Sequence, residues 1–237
     1  MFKNKISICI PTYECSGRGV EFLTKLMQSI EIQTYKNFNI IISDHSLNDD
    51  IKNFCNDLKD IFEILYIKNE HSVGNSPSNT NNSIKNADGD IIKIMFQDDF
   101  FYNEKALELI VKEFENDNCH WLVTSCNHTN DDGKTFNNFM TPYWNENIIM
   151  GINTISSPSV LSFRNNNSCE FDENLVMLMD CEMYYQLYLK YGLPIIINEV
   201  LVTNRLHSKQ ISSMYSTDIN IEINYIINKH NILYEQK

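Results

Sequence analysis

No apolar run in this 237-residue chain approaches the roughly 20 residues that a membrane-spanning helix needs. The longest candidates, such as Leu193–Val202, are interrupted, and Met1–Lys5 runs straight into a strand-like segment without a secretory leader. Cysteines at CxxC or zinc-finger spacing are missing as well. The seven present (9, 15, 55, 119, 126, 169 and 181) are odd in number and read as small buried hydrophobes with reduced thiols. Basic residues are scarce: Lys and Arg number 19 against 31 Asp and Glu, a formal net charge of -12. That balance argues against non-specific nucleic-acid binding and against docking on anionic lipid through a polybasic face. An anionic ligand remains possible if a metal or a few aimed dipoles hold it locally. There is no P-loop, no GxGxxG and no internal repeat. A soluble, intracellular chain able to bury a sizeable core is the expectation.

What is present is an alternation of strand and helix patterns through the first hundred residues. Ile6–Ile10, Phe38–Ser43, Ile64–Ile67 and Ile91–Phe96 read as strands, with Pro11 expected to close the first. Between them, Val20–Gln33 puts Phe22, Leu23, Leu26, Met27 and Ile30 at helical spacing, Asp49–Lys59 has an apolar face, and Asn81–Ala87 reads as a short helix after a loop from Asn69 to about Ser78. Such alternation predicts an α/β fold with a mostly parallel sheet covered on both faces, whose ligands bind beyond the carboxyl ends of the strands. The second half is less regular: a helix over Ala106–Phe114, a strand over His120–Ser125, a polar stretch over Asn127–Asn147 and a strand at Val160–Phe163. A helix then runs from Asp180 to Tyr191, a strand covers Ile195–Val202, and a helix is expected in the Ile-rich tail over Ile219–Tyr234.

Carboxylates collect where the strands end. Gln97-Asp98-Asp99 follows the fourth strand; adjacent carboxylates there suit a hard divalent ion or, alternatively, the N-cap of the next helix. Asp44, after the second strand, is a hydrogen-bond acceptor for a base or ribose, or simply a turn former. Pro11-Thr12-Tyr13-Glu14 offers an aromatic face and a carboxylate. Asp180 and Glu182 open a helix, where either a general base or an N-cap is possible. Arg205 and His207 alternate on an extended segment and would face one side as phosphate donor and metal ligand.

In sequence order, these segments resemble the family 2 inverting glycosyltransferases of the GT-A fold. The resemblance rests on Ile6-Ser-Ile-Cys-Ile-Pro-Thr-Tyr13, Ser29–Tyr35 followed by Phe38–Ser46, and Asn75–Gly89 followed by the Gln-Asp-Asp strand end. It implies that Pro11, Tyr13 and Glu14 line a nucleotide pocket, Asp44 meets the base, and Asp98 sits near ribose or sugar. It further implies that Asp99 ligates Mn²⁺ or Mg²⁺, that Asp180 deprotonates the acceptor hydroxyl and that His207 completes the metal site, beside which Arg205 is expected to help hold the donor. Departures are Ser43 in place of an acid, His45 in place of Gly, Phe96 at the first position of the acidic motif, and Met179 before Asp180, with Glu182 a rival base. The implied partners are a nucleotide-sugar donor, most simply a UDP-sugar, and a glycan or lipid-linked glycan acceptor. The implied organisation is one domain: a nucleotide-sugar-binding half over 1–99, an acceptor-binding and catalytic half over 100–213, and a helical tail over 214–237 that could pack on a second copy. The implied location is cytoplasmic, peripheral at the inner face of the membrane. A scaffold of the same fold without catalysis, and a two-carboxylate glycoside hydrolase, are the competing readings.

Overall fold

In the computed structural model, residues 3–166, 169–208, 210 and 218–231 are described. The first half alternates as its pattern predicts: β1 (Ile6–Thr12), α1 (Gly19–Glu31), β2 (Phe38–Asp44), α2 (Asp50–Asp57), β3 (Ile64–Lys68), α3 (Ser76–Lys85) and β4 (Ile91–Ile94). These four strands lie parallel in the order β3-β2-β1-β4. β1 and β4 are buried along their whole length, as strands covered on both faces must be. The face of α1 that packs on the sheet is Phe22, Leu23, Leu26, Met27 and Ile30.

Beyond β4 the sheet continues through β8 (Leu161–Arg164), β6 (Trp121–Thr129), β9 (Ile195–Arg205) and the two-residue β5 (Phe100–Phe101), with β7 (Asn137–Met140) paired on β6. Here β8 runs antiparallel to both β4 and β6, while β6 and β9 are parallel. The two halves therefore share one sheet and one core. The remaining helices are α4 (Ala106–Phe114), α5 (Met179–Tyr191) and α6 (Ile219–Lys229).

Several boundaries differ from the sequence-based expectation, each for a local reason. β1 does not stop at Pro11 but runs to Thr12, pairing Pro11 with Ser43 and Thr12 with Asp44. Odd-numbered residues of β1 bond toward β4, as the Met95 N–H to Cys9 carbonyl bond shows, and β4 ends at Ile94. Proline's missing N–H therefore falls beside the end of its neighbour and removes no ladder bond. α3 begins five residues before the expected start, because Asn75 caps it by accepting from the Ser78 N–H at 2.8 Å and Pro77 stands in its first turn. β9 runs on to Arg205, which brings His207 to the end of a strand. In the tail, Ile223 and Ile226 are buried against the chain's own core, while Ile219, Ile221 and Tyr225 stay exposed.

Candidate active site

The carboxyl ends of β1, β2 and β4 lie side by side, where a parallel sheet leaves room for a ligand. The loop after β1 is folded back on itself so tightly that a Cβ on Gly19 would stand 2.5 Å from the Tyr13 carbonyl oxygen. Gln97 ties that loop to the end of β4. Its Oε1 accepts from the Tyr13 N–H and its Nε2 donates to the Tyr13 carbonyl, both at 3.0 Å. The Tyr13 ring is left 41% exposed, an open aromatic face beside the strand ends. Gln97 was visible in the sequence only as a neighbour of the acids; its clamping role depends on a partner 84 residues away.

Asp98 and His207 meet across the end of β4: His207 Nε2 lies 3.0 Å from Asp98 Oδ2, with the Asp98 side chain 21% exposed. The His207 ring and the Arg205 guanidinium both pack on Phe22, at 4.8 Å and 4.6 Å. Neither Asp98 nor Asp99 caps α4, whose preceding residue is Lys105.

The structure turns other expected site residues inward. Asp99 is buried, with Oδ1 accepting from the Arg205 N–H at 3.0 Å and Oδ2 from the Ser157 hydroxyl at 3.3 Å. Burial, followed by the charge of Asp98, pushes its carboxyl well above the usual carboxylate range. Asp44 is fully buried: Oδ1 accepts from the Ser46 N–H and hydroxyl and the Thr12 hydroxyl, and Oδ2 from the Tyr66 hydroxyl at 2.7 Å. Its charge is met by these protein donors. Pro11 is buried within β1, and Glu14 accepts from the Leu47 N–H at 3.2 Å, joining the loops after β1 and β2. Arg205 is 3% exposed, held between Phe22 and Phe100 with Nε 3.2 Å from Asp132. Its two terminal nitrogens have no hydrogen-bond partner among the described residues. Burial lowers its pKa against the opposing charges of Asp132, Asp98, Asp99 and Glu21, which makes it an internal counter-charge to the acidic strand end.

On α5 the two candidate bases part company. Asp180 Oδ2 accepts from Asn153 Nδ2 and Oδ1 from the Cys181 N–H, both at 2.7 Å. Burial outweighs those hydrogen bonds and raises its carboxyl to about 6. Glu182 is fully buried on another face, held by Lys229 at 2.7 Å, His230 at 2.9 Å and Gln186 at 2.6 Å. That carboxylate belongs to a buried ion cluster with the end of α6.

A five-residue segment joins the two centres. Asn153 holds Asp180 at one end and Ser157 holds Asp99 at the other. The four backbone steps from Asn153 to Ser157 span at most about 14 Å, so a short segment links the start of α5 to the end of β4. Between them Ser156 adopts φ 102°, an uncommon region for a residue with a Cβ. It is secured by the Tyr184 hydroxyl and Asn153 amide on its carbonyl and by Asn204 on its hydroxyl.

Among the described residues no three His, Cys, Asp or Glu side chains converge as a metal cage. Asp98 and His207 nevertheless supply a carboxylate oxygen and an imidazole nitrogen. These two donors suit Mn²⁺ or Mg²⁺ when water and phosphate oxygens fill the other positions. A cavity of about 520 Å³ opens elsewhere, between α3, α5, α6 and the 169–173 segment, and contains none of these groups. No helix among the described residues is long and apolar enough to cross a membrane.

A protein described as an uncharacterized glycosyltransferase from Rickettsia felis is 27% identical over 235 residues, covering 94% of this chain and 37% of the relative. The chain thus spans little more than a third of that relative's length. A Campylobacter jejuni protein named GalNAc(5)-diNAcBac-PP-undecaprenol beta-1,3-glucosyltransferase is 33% identical over 96 residues, 40% of this chain and 30% of its own. Among solved structures, Staphylococcus aureus TarS 1-349 in complex with UDP-GlcNAc shares the fold with a TM-score of 0.77 at 18% identity, covering 98% of this chain and 68% of that one. The mannosyltransferase PcManGT from Pyrobaculum calidifontis, in complex with GDP-Man and Mn²⁺, gives 0.62 at 13% identity, covering 86% and 57%. The family profile described as Glycosyl transferase family 2 matches residues 7–172, spanning β1 to the segment before α5, and the chain belongs to that family.

Proposed function

We propose that this chain is the catalytic unit of an inverting glycosyltransferase that moves a sugar from a UDP-sugar to an acceptor hydroxyl. The observation that carries the reading is Asp180, a carboxylate raised to about 6 and tied through residues 153–157 to the strand end that bears Asp98 and His207. A base with that affinity is deprotonated near neutral pH yet still basic enough to accept a proton in the transition state. Asp180 takes the proton as the acceptor oxygen attacks the anomeric carbon from the face opposite the nucleotide. The bond to the diphosphate oxygen breaks with its electron pair leaving on the nucleoside diphosphate, and one displacement inverts the centre through an oxocarbenium-like transition state.

The nucleotide half of the site is assigned as follows. Tyr13 stacks on the base, Asp98 and His207 hold Mn²⁺ or Mg²⁺, and Asp99 and Asp44 act from behind by fixing the strand ends. When bound, the ion supplies charge neutralisation for the leaving diphosphate. An acceptor on a lipid diphosphate is supported by the name of the Campylobacter relative and by an Escherichia coli relative named as a UDP-Glc:alpha-D-GlcNAc-diphosphoundecaprenol beta-1,3-glucosyltransferase, 34% identical over 100 residues. Work on such a substrate would put the chain at the inner membrane face. The inward commitment of Asp44 and Asp99 favours the competing reading, a nucleotide-sugar-binding scaffold.

Asp180→Asn separates the two. Transfer, read as UDP release from UDP-glucose with Mn²⁺, should fall by about 10²–10⁴-fold while the UDP-induced thermal shift persists. Full turnover in Asp180→Asn would remove the base assignment, and no turnover in the wild type would favour the scaffold.

A further inference from the structure

Asp180 is the second residue of α5, and α6 grips the chain on both sides of it. Glu222, 7% exposed, turns its carboxylate onto three consecutive backbone N–H groups just before α5 begins. Oε1 accepts from Val176 at 3.0 Å and Met177 at 3.2 Å, and Oε2 from Met177 at 3.0 Å and Leu178 at 2.8 Å. Of these donors the Leu178 N–H, at the N-cap position, is among the four that a helix's own backbone cannot satisfy; the other two lie just before it. An anion there gains from both charge-assisted bonds and the helix dipole. α5 has no side-chain cap of its own, since Leu178 stands at that position. Glu222, 44 residues away, instead holds the N-cap residue and the two residues before it by their N–H groups.

The second grip is the ion cluster. Lys229 Nζ lies 2.7 Å from Glu182 and 2.6 Å from Asp172, and His230 Nε2 lies 2.9 Å from Glu182. Asp172 also accepts from the Tyr225 hydroxyl at 3.0 Å. One helix therefore fixes residues 176–178 on one side of Asp180 and residue 182 on the other. The third restraint, Asn153, comes from the opposite direction and touches Asp180 itself.

We propose that Glu222 is a positioning residue for the general base, and that α6 serves as a clip that sets where the Asp180 carboxylate stands relative to the donor. This inference rests on the assignment of Asp180 as base. The geometry explains why a surface helix carries a buried carboxylate that touches backbone alone: its charge is used to hold a turn, not to meet a ligand. Among the described residues nothing in α6 reaches the β1–β4 strand ends through a hydrogen bond or ion pair, so its influence should fall on proton removal and not on nucleotide binding.

The test uses the full chain with Glu222→Ala and Glu222→Gln, following UDP release from UDP-glucose with Mn²⁺. In Glu222→Ala, kcat should fall between about tenfold and a hundredfold, the cost of a misplaced reacting group. KM for UDP-glucose and the UDP-induced thermal shift should stay within about twofold. Glu222→Gln keeps one acceptor oxygen and should recover part of the lost kcat. Hydrogen exchange should quicken at the amides of 176–178 and stay unchanged in β1 and β4. Unchanged kcat in Glu222→Ala, or a kcat loss matched by an equal loss of UDP binding, overturns the inference. Should Glu222→Ala fail to fold, Glu222→Gln carries the same comparison with a smaller expected loss of about three- to tenfold. If Asp180→Asn abolishes release while Glu222→Ala does not, only the positioning role fails. If Asp180→Asn retains release, the base assignment fails first and the positioning role with it.

Discussion

Asp44 at the end of β2 and Asp98 just past the end of β4 are the same residue type at equivalent points of one parallel sheet. Around Asp44 the chain has gathered Ser46, Thr12 and Tyr66, and Lys68 lies 3.9 Å away, so its charge is compensated inside the fold. Among the described residues Asp98 pairs with the His207 imidazole alone and keeps a fifth of its side chain in solvent. A carboxylate supplied with several donors contributes to the fold, whereas one left with an exposed edge beside a metal-ligating residue type remains available to something from outside. Strand-end position alone does not separate the two roles; the count of protein donors does.

The largest expected effect tests the open side. Asp98→Ala should lower turnover by about 10²–10³-fold and remove the metal-dependent part of UDP binding, measured by calorimetry with Mn²⁺ and with chelator. Retained metal dependence would break the contrast. Next comes the closed side. Asp44→Ala leaves buried hydroxyl donors without their acceptor and should destabilise the fold by about 2–4 kcal/mol in urea denaturation, while UDP affinity of the folded protein changes less than about threefold. A tenfold loss of affinity without loss of stability would make Asp44 a ligand contact after all.

The smallest effect sharpens the comparison with an intermediate case. Asp180 has two donors and a carboxyl raised to about 6, above its unfolded value near 3.9. The sign follows from linkage: the unfolded chain releases this proton first, so the stability associated with the group is fully present below about pH 4 and is lost as pH rises through 6. Urea denaturation between pH 4 and 7 should therefore show a decline that Asp180→Asn flattens, a difference on the order of 2 kcal/mol. Catalysis runs in the opposite direction, with kcat falling below about pH 6 as the base becomes protonated.

How far these roles can be read from sequence follows the range of the interactions. α1 and α4 are recognisable because side chains three and four residues apart share a face, and β1 to β4 because apolar β-branched runs alternate with those helices. The early start of α3 was also locally encoded, in Asn75 and Pro77, and was hidden by reading a Ser- and Asn-rich stretch as loop. The orientation of the acids is different. That Glu182 is closed depends on Lys229 and His230, and that Asp180 is held depends on Asn153. None of these partners lies within 20 residues of its carboxylate, and nothing in the local pattern distinguishes the two. Arg205 is a similar case. Alternation with His207 predicted a shared direction, and both side chains do pack on Phe22. Yet the guanidinium is enclosed by Phe100 and Asp132, which only the folded sheet brings near.

The segment from Asn153 to Ser157 has a consequence for substrate choice. With Asp180 as the proposed base and the β4 end as the proposed donor site, this segment, hydrogen-bonded at each end and holding Ser156 in an unusual backbone state, would bound the gap between donor and acceptor. A segment of this kind works as a gauge block that sets an upper limit on the separation. Acceptors would then be sorted by the reach of their attacking hydroxyl before any recognition of the sugar that carries it.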